Sequence, residues 1–230
     1  MTEISRRQFL KGAAKVAVAG FAAATGVDGI FNQIGQNNYE TYRRGGPRKE
    51  WKIDPHAKIA IVRQGTYAIA GGDVFLLTPY AESCVIVVLS VPKFERVVKG
   101  HLDLFTNPYA AVHLMIKDLG LPDRQEGQIE TRLIGGTEGW SEKLVEGLLK
   151  ALRSRGKIEL VECDLFTPRP VSVITHPRTG KTYNFSQWPK PADTRAYFKA
   201  IKDGPSPISG QIVGVQLREL PLIEGLRVSS

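Results

Sequence analysis

The chain has few of the residues that build metal and cofactor sites. Its 230 residues include two cysteines, four histidines and two methionines. It has no C-x-x-C pair, no H-E-x-x-H motif and no glycine-rich phosphate loop, and its histidines lack the spacing of metal ligands. These absences exclude the metal, redox and nucleotide sites that short motifs identify. We therefore expect neither a cofactor nor a bound metal.

Nucleic-acid binding is disfavoured by the distribution of charge. The formal net charge is +8, but residues 1–52 hold nine Lys and Arg against four acids, whereas residues 53–230 hold twenty-two against nineteen. The basic excess is therefore concentrated near the N-terminus. The remainder has no stripe of Lys and Arg interleaved with aromatic residues, as a nucleic-acid surface would require. We expect no nucleic-acid partner, and membrane contact only through the basic segment 43–52 or an uncleaved signal.

The N-terminus carries a pattern typical of export. Residues 5–11 read SRRQFLK and precede an alanine-rich run at 12–26. This pattern predicts a twin-arginine signal, which a receptor reads as an address. The run is too short and too weakly apolar for a spanning helix, which needs about 20 apolar residues, and the alanines at 22–24 offer a cleavage site. We expect export to the periplasm or the cell exterior, with membrane anchoring if the signal stays uncleaved.

One domain follows the signal. Residues 27–57 are rich in Asn, Gln, Gly and Arg without a hydrophobic period, which predicts a linker. Two amphipathic helices are expected, one capped by Asn107 and closed by Gly120, the other beginning at Ser141 and stopping at Gly156. Together with the strands this content predicts an α/β fold. Runs of β-branched residues predict eight strands, at 58–63, 67–70, 74–77, 84–90, 97–104, 129–134, 158–163 and 171–175.

The clearest sign of chemistry is a cysteine followed by a histidine on the next predicted strand. Cys84 opens an apolar run, and His101 lies seventeen residues later. A thiol is mostly protonated at neutral pH, and an imidazole within reach can accept its proton while a third polar group orients the ring. Thr78, six residues before Cys84, is the candidate for that group. The alternative is that Cys84 is a small core side chain, the usual role of a cysteine on a hydrophobic strand.

The segments around these residues resemble the CheD family of chemoreceptor glutamine deamidases. Residues 77–85 read LTPYAESCV against the family's T-L-G-L-G-S-C-V, and residues 100–101 read GH against the end of its G-G-x-x-H. The resemblance covers roughly residues 59–185. Three further segments are similar to the family's K-x-F-G-G, E-D-L-G-G and T-G motifs, namely RLIGG at 132–136, ECDL at 162–165 and TGK at 179–181.

The resemblance implies a fold, an activity and roles for three residues. The implied fold is an α/β layered sandwich with mixed sheets and helices on the outer faces, at 58–188, followed by an extension at 189–230. Cys84 takes the place of the nucleophile, His101 that of the base and Thr78 that of the orienting group. The implied reaction converts glutamine to glutamate with release of ammonia. Its substrate would be a chemoreceptor or envelope protein, or a related small amide.

The chain departs from the family pattern in two loops. Residues 80–82 read YAE where the family has glycines, and Phe166 and Thr167 replace the second glycine pair. We expect these changes to remove a tight backbone approach or a positive φ near the nucleophile, and to alter the substrate.

Two other roles remain open. One is a non-catalytic binding protein with the same fold, which predicts an unreactive Cys84 of high pKa. The other is a thiol redox sensor that uses Cys84 and Cys163. An oxidising compartment would also allow these two cysteines to form a plain disulfide.

Overall fold

The computed structural model describes most of the chain between residues 43 and 224. The described residues are 43–44, 47–52, 54, 56–120, 129–155, 158–167, 169–186 and 211–224. The predicted export signal and most of the predicted linker lie outside them, as does Gly156. Within the described residues, no helix is long and apolar enough to cross a membrane.

Twelve strands form two mixed sheets in the described part of the chain, and they include all eight predicted strands. They are β1 (Arg43–Arg44), β2 (Lys58–Ile61), β3 (Thr66–Ala70), β4 (Val74–Ala81), β5 (Val85–Val91), β6 (Arg96–Leu102), β7 (Ile129–Gly135), β8 (Ile158–Leu165), β9 (Val171–Thr175), β10 (Thr182–Asn184), β11 (Gln211–Ile212) and β12 (Arg218–Glu219). The seven-stranded sheet has the order β1-β8-β7-β5-β6-β3-β12, and the five-stranded sheet β10-β9-β4-β2-β11. Neighbours are antiparallel except for three parallel pairs, β7 with β8, β2 with β4 and β2 with β11.

Both predicted helices are confirmed, as α1 (Pro108–Asp118) and α2 (Glu142–Arg153). The Asn107 side chain caps α1 by accepting hydrogen bonds from the first two free N–H groups, and proline occupies the first turn. Gly120, with φ of +58°, follows the end of α1. A short 3-10 helix, Pro92–Phe94, links β5 to β6.

The layers of the molecule are defined by β5, which is buried on both faces. Val85, Val87 and Leu89 pack in one core cluster with both helices. Ile86 and Val88 pack in a second cluster against the five-stranded sheet. Burial on both faces explains why this strand is continuously apolar rather than alternating. The molecule therefore has three layers, in the order helices, seven-stranded sheet, five-stranded sheet.

The predicted α/β layered sandwich with mixed sheets is confirmed, with both described helices on one outer face. The other outer face, on the five-stranded sheet, carries an aromatic cluster. The Trp51 ring lies 4.6 Å from that of Phe75 and 5.4 Å from that of Tyr183, measured between centroids. Trp51 comes from the segment before the first predicted strand, so part of the predicted linker packs on the domain.

Residues 211–224 also belong to the sandwich. Strand β11 pairs with β2 in the five-stranded sheet, and β12 pairs with β3 in the seven-stranded sheet. Between these strands, Val213, Val215 and Leu217 pack into the layer between the sheets. The region predicted as an extension thus adds an edge strand to each sheet. The sequence did not predict these strands, because two residues are too few to show a hydrophobic period.

Candidate active site

The three predicted site residues come from three strands into one layer between the two sheets. Cys84 directly precedes β5 and packs in the cluster between the sheets. His101 on β6 pairs with Ile86 on β5, so it lies on the same face, diagonally across from Cys84. On β4, Leu76 faces this layer and Leu77 faces outward, so Thr78 again faces this layer.

Val62 links His101 to the strand that carries Thr78. Burial lowers the pKa of the His101 imidazole, and the Val62 backbone partly opposes that shift, although the pair does not meet the geometry of a hydrogen bond. The Val62 N–H donates to the Leu77 carbonyl at 2.8 Å, and Leu77 adjoins Thr78 in β4. The five-stranded sheet therefore presents Thr78 to the His101 side of the layer.

These groups are buried and incompletely hydrogen-bonded. Thr78 is 0% exposed, His101 5% and Cys84 7%. Thr78 Oγ1 and both ring nitrogens of His101 have no hydrogen-bond partner in the described part of the chain. Buried polar atoms are nearly always paired, and leaving one unpaired costs about 1–3 kcal/mol. Three such atoms face the layer that also holds Cys84, where a substrate could supply their partners.

Burial keeps both candidate catalytic groups neutral. It raises the pKa of Cys84 to about 12, and the Asp103 carboxylate acts in the same direction. Burial also lowers the pKa of His101 to about 4, with a further contribution from Lys99. At neutral pH the pair is therefore a thiol and an uncharged imidazole. The imidazole can act as a base, but the thiol loses its proton only during attack on a substrate.

Lys99 is a polar residue of the same layer that the sequence reading did not single out. It is fully buried, and its Nζ donates to the carbonyls of Leu76 at 3.0 Å and Val173 at 2.7 Å. Burial holds the pKa of Lys99 well below its ordinary range. The sequence feature that could have identified Lys99 is a lysine at an inward-facing position of the strand RVVKGHL. Its two bonds tie the seven-stranded sheet to the five-stranded sheet two residues before His101.

Residues 82–84, which we term the cysteine turn, are held by residues 136–141, which we term the anchor turn. Three successive carbonyls accept hydrogen bonds across this contact. Thr137 Oγ1 donates to Glu82 at 3.0 Å, Ser141 Oγ donates to Ser83 at 2.8 Å, and the Gly136 N–H donates to Cys84 at 2.8 Å. The sequence presents this glycine pair only as part of the RLIGG motif, and the structure adds its contact with the cysteine turn.

Gly135 is required by the same contact. Its φ is +95°, and a Cβ at this position would lie 2.8 Å from the Cys84 carbonyl oxygen. That distance is shorter than real Cβ contacts, and the backbone region favours glycine. The G-G of the RLIGG segment thus has a direct physical reason to lie against the cysteine turn.

The expected loss of positive φ near the nucleophile is wrong at two positions. Tyr80 has φ of +49° and Phe166 has φ of +57°, although each replaces a glycine of the family pattern. A non-glycine residue in this region costs about 1–2 kcal/mol. Tyr80 packs on the outer cluster of the five-stranded sheet and Phe166 on the cluster beneath the helices, so apolar burial offsets the strain.

The two cysteines lie on opposite faces of the seven-stranded sheet, and neither forms a disulfide. Cys84 packs between the sheets, whereas Cys163 packs in the cluster with the helices. Cys163 pairs with Leu133 on β7, the strand between β8 and β5. A disulfide requires Cβ atoms about 3.5–4.5 Å apart. This fold therefore does not support a Cys84–Cys163 bridge within one chain, for structural or redox purposes.

Among the described residues, no group of three or more His, Cys, Asp or Glu side chains could hold a metal ion. Searches against protein-family models and against curated proteins find no match to this chain. The relation to the CheD family therefore stays a prediction from the motifs.

Proposed function

We propose that this chain is a CheD-like cysteine amidohydrolase that deamidates glutamine side chains of a chemoreceptor or envelope protein. One observation carries the proposal. Cys84, His101 and Thr78 face one layer from three different strands, and the polar atoms of His101 and Thr78 are buried there without partners. Buried polar atoms of Trp51, Thr131 and Thr175 are also unpaired, so the proposal depends on the combination of an imidazole and a hydroxyl in the layer that holds a thiol, which thiol-dependent hydrolysis uses.

The reaction follows from the protonation states. As Cys84 Sγ attacks the amide carbon, its proton passes to a ring nitrogen of His101, and the carbonyl electrons move onto the oxygen. Collapse of this intermediate breaks the C–N bond, and the imidazolium proton leaves with ammonia. Water then attacks the thioester with His101 as base, which yields glutamate and restores the thiol. Thr78 Oγ1 and the ring nitrogens are unpaired at rest, and in the substrate complex the Thr78 hydroxyl would hydrogen-bond the ring and hold it in position.

Local charge favours a neutral substrate. The carboxylates of Asp103 and Glu82 lie close enough to raise the pKa of Cys84. The same field disfavours a substrate carboxylate at the thiol and tolerates an uncharged carboxamide. The product glutamate is anionic, so the field also favours its release.

The test measures conversion of glutamine to glutamate by the full-length protein on glutamine-containing peptides, by mass spectrometry and ammonia release. We expect Cys84→Ala to retain less than about one per cent of the activity. His101→Gln should behave similarly, and Thr78→Val should lose part of the rate. Cys163→Ala is the matched control, because that thiol lies on the other face of the sheet. Turnover by Cys84→Ala, or no ammonia from the parent protein, overturns the proposal.

A non-catalytic binding role is the second candidate, favoured by the raised pKa of Cys84. A peptide carrying a chloromethyl ketone in place of the glutamine side-chain amide separates the two candidates. An enzyme should form an adduct at Cys84 that His101→Gln suppresses, because the base must accept the thiol proton. A binding protein should remain unmodified.

A further inference from the structure

We infer that Ser141 is a positioning residue that directs the backbone N–H of Cys84 at the oxyanion formed during catalysis. The inference rests on the proposed function and adds to it a residue outside the Cys84, His101 and Thr78 set. It starts from the unusual hydrogen bonding of a helix cap.

Ser141 occupies the N-cap position of α2 but does not cap the helix. A serine at this position ordinarily accepts a hydrogen bond from the first helical turn, a contact worth about 1 kcal/mol. Asn107 makes this contact at the start of α1. Ser141 makes no cap bond. Its hydroxyl instead accepts from the Thr137 N–H at 2.9 Å and donates to the Ser83 carbonyl at 2.8 Å.

This bond fixes the peptide unit that joins Ser83 to Cys84. The described chain has no cis peptide, so the unit is planar and trans, with its C=O and N–H pointing in opposite directions. Because the Ser83 carbonyl faces Ser141, the Cys84 N–H points away from the anchor turn. It donates to no acceptor in the described part of the chain.

The neighbouring peptide units are oriented in the same way. The Glu82 carbonyl faces Thr137, so the Ser83 N–H also points away from the anchor turn. Successive N–H groups on one side of a turn make a concavity that attracts a negative oxygen. An oxyanion on the carbon attacked by Cys84 Sγ forms next to these donors, and donors fixed in advance stabilise it most effectively.

Ser141 is suited to this task because it cannot easily move. It is 0% exposed, and it is the last residue of the anchor turn, directly before the first residue of α2. The hydrogen bond from its hydroxyl therefore fixes the cysteine turn relative to α2. Loss of the hydroxyl would free the Ser83–Cys84 peptide to rotate without changing Cys84 Sγ or the His101 ring.

The test compares Ser141→Ala, which lacks the donor, with Ser141→Thr, which keeps it. On the glutamine peptides, we expect Ser141→Ala to lower kcat about ten- to hundredfold with KM nearly unchanged, because the oxyanion exists only after binding. Ser141→Thr should restore kcat to within a few-fold of the parent. Ser154→Ala is the matched control, since Ser154 Oγ donates to the Ala151 carbonyl at 2.8 Å at the other end of the same helix.

Two readouts separate positioning from general damage. The rate at which iodoacetamide alkylates Cys84 and the pH dependence of kcat/KM should be the same in Ser141→Ala and the parent, because thiol and imidazole are intact. If Ser141→Ala does not fold, Thr137→Val replaces it, since it releases the adjacent Glu82 carbonyl, and the same loss of kcat is expected. Unchanged kcat in the folded variant overturns the role of Ser141 and leaves the proposed function standing. Absence of ammonia release by the parent overturns both.

Discussion

At the scale of single residues, burial controls the chemistry of the site. The same layer that brings Cys84 and His101 together excludes water from both, and so opposes charge on each. The residues that an enzyme would need to activate are thus neutral at rest. Their proton affinities give two predictions.

The first concerns the pH dependence of stability. His101 has a folded pKa of about 4 against an ordinary value of 6.5. Between these values the unfolded chain binds a proton that the folded chain does not, so this contribution is fully present above pH 6.5 and is lost as the pH falls to 4. The loss amounts to about 3 kcal/mol. In urea titrations, His101→Gln should show a flatter fall of unfolding free energy over this range, and an identical slope in both proteins would contradict the buried neutral imidazole.

The second concerns the reactivity of Cys84. With its pKa raised to about 12, the thiol should react slowly with iodoacetamide at neutral pH in the folded protein. Asp103→Asn should increase the rate, because the Asp103 carboxylate is the largest contribution after burial. Glu82→Gln should have a smaller effect, since its contribution is the weakest. Mass spectrometry of the modified protein measures all three rates, and reaction as fast as that of a free thiol would show that Cys84 is not buried as described.

At the scale of elements, the site depends on contacts between loops rather than on any one strand. The cysteine turn links β4 to β5, and the anchor turn links β7 to α2. Hydrogen bonds and the glycine pair hold these two turns together. Left-handed conformations occur near this contact, at Tyr80 just before the cysteine turn and at Phe166, whose N–H donates to the Gly135 carbonyl at 3.0 Å. Such strain is common at functional sites.

The third prediction uses two glycines of the same loop region. Gly135 has φ of +95° and no room for a Cβ, whereas Gly139 has φ of +87° and no atom within 4 Å of one. Gly139→Ala should cost only the backbone term, about 1 kcal/mol. Gly135→Ala should cost more, by about 2 kcal/mol, because its methyl group would displace the Cys84 carbonyl. Denaturant unfolding measures both, and equal losses would mean that the cysteine turn yields freely.

At the scale of the whole molecule, segments from outside the predicted domain complete the sandwich. Strand β1 extends the seven-stranded sheet at one edge and β12 extends it at the other. Arg48, four residues after β1, is one of the residues that line a cavity of about 460 Å³. The linker predicted at 27–57 is therefore held on the domain over its last part.

The fourth prediction tests that attachment. The Arg48 side chain is 7% exposed, and it donates to Glu162 at 2.9 Å and to Asp164 at 2.6 Å. Arg48→Met removes a cation from partly buried carboxylates and should lower the unfolding free energy by about 3 kcal/mol. Arg178→Met is the matched control, because Arg178 pairs with Asp73 at 2.9 Å on the exposed surface. That change should stay within about 0.5 kcal/mol. Equal effects of the two substitutions would show that the N-terminal segment does not stabilise the fold.

The sequence by itself determined the eight main strands, the two helices and the Cys84, His101 and Thr78 pattern. Side-chain periodicity and helix caps depend on residues that are close in the sequence, so the sequence alone reveals them. It also placed the glycines at 135–136 in a segment that resembles a family motif.

Only the tertiary structure decided three features of the site. They are the neutral state of the Cys84 thiol and the His101 imidazole, the separation of Cys84 from Cys163, and the hydrogen bond from Ser141 to the Ser83 carbonyl. Each depends on how two sheets and two turns pack across long stretches of sequence. A pKa reflects all the atoms around a group, and the face on which a residue lies fixes its partners only once the strands are paired. From the sequence, a serine directly before a helix is expected to cap that helix. Only the packing of the two turns shows that Ser141 donates to the Ser83 carbonyl instead.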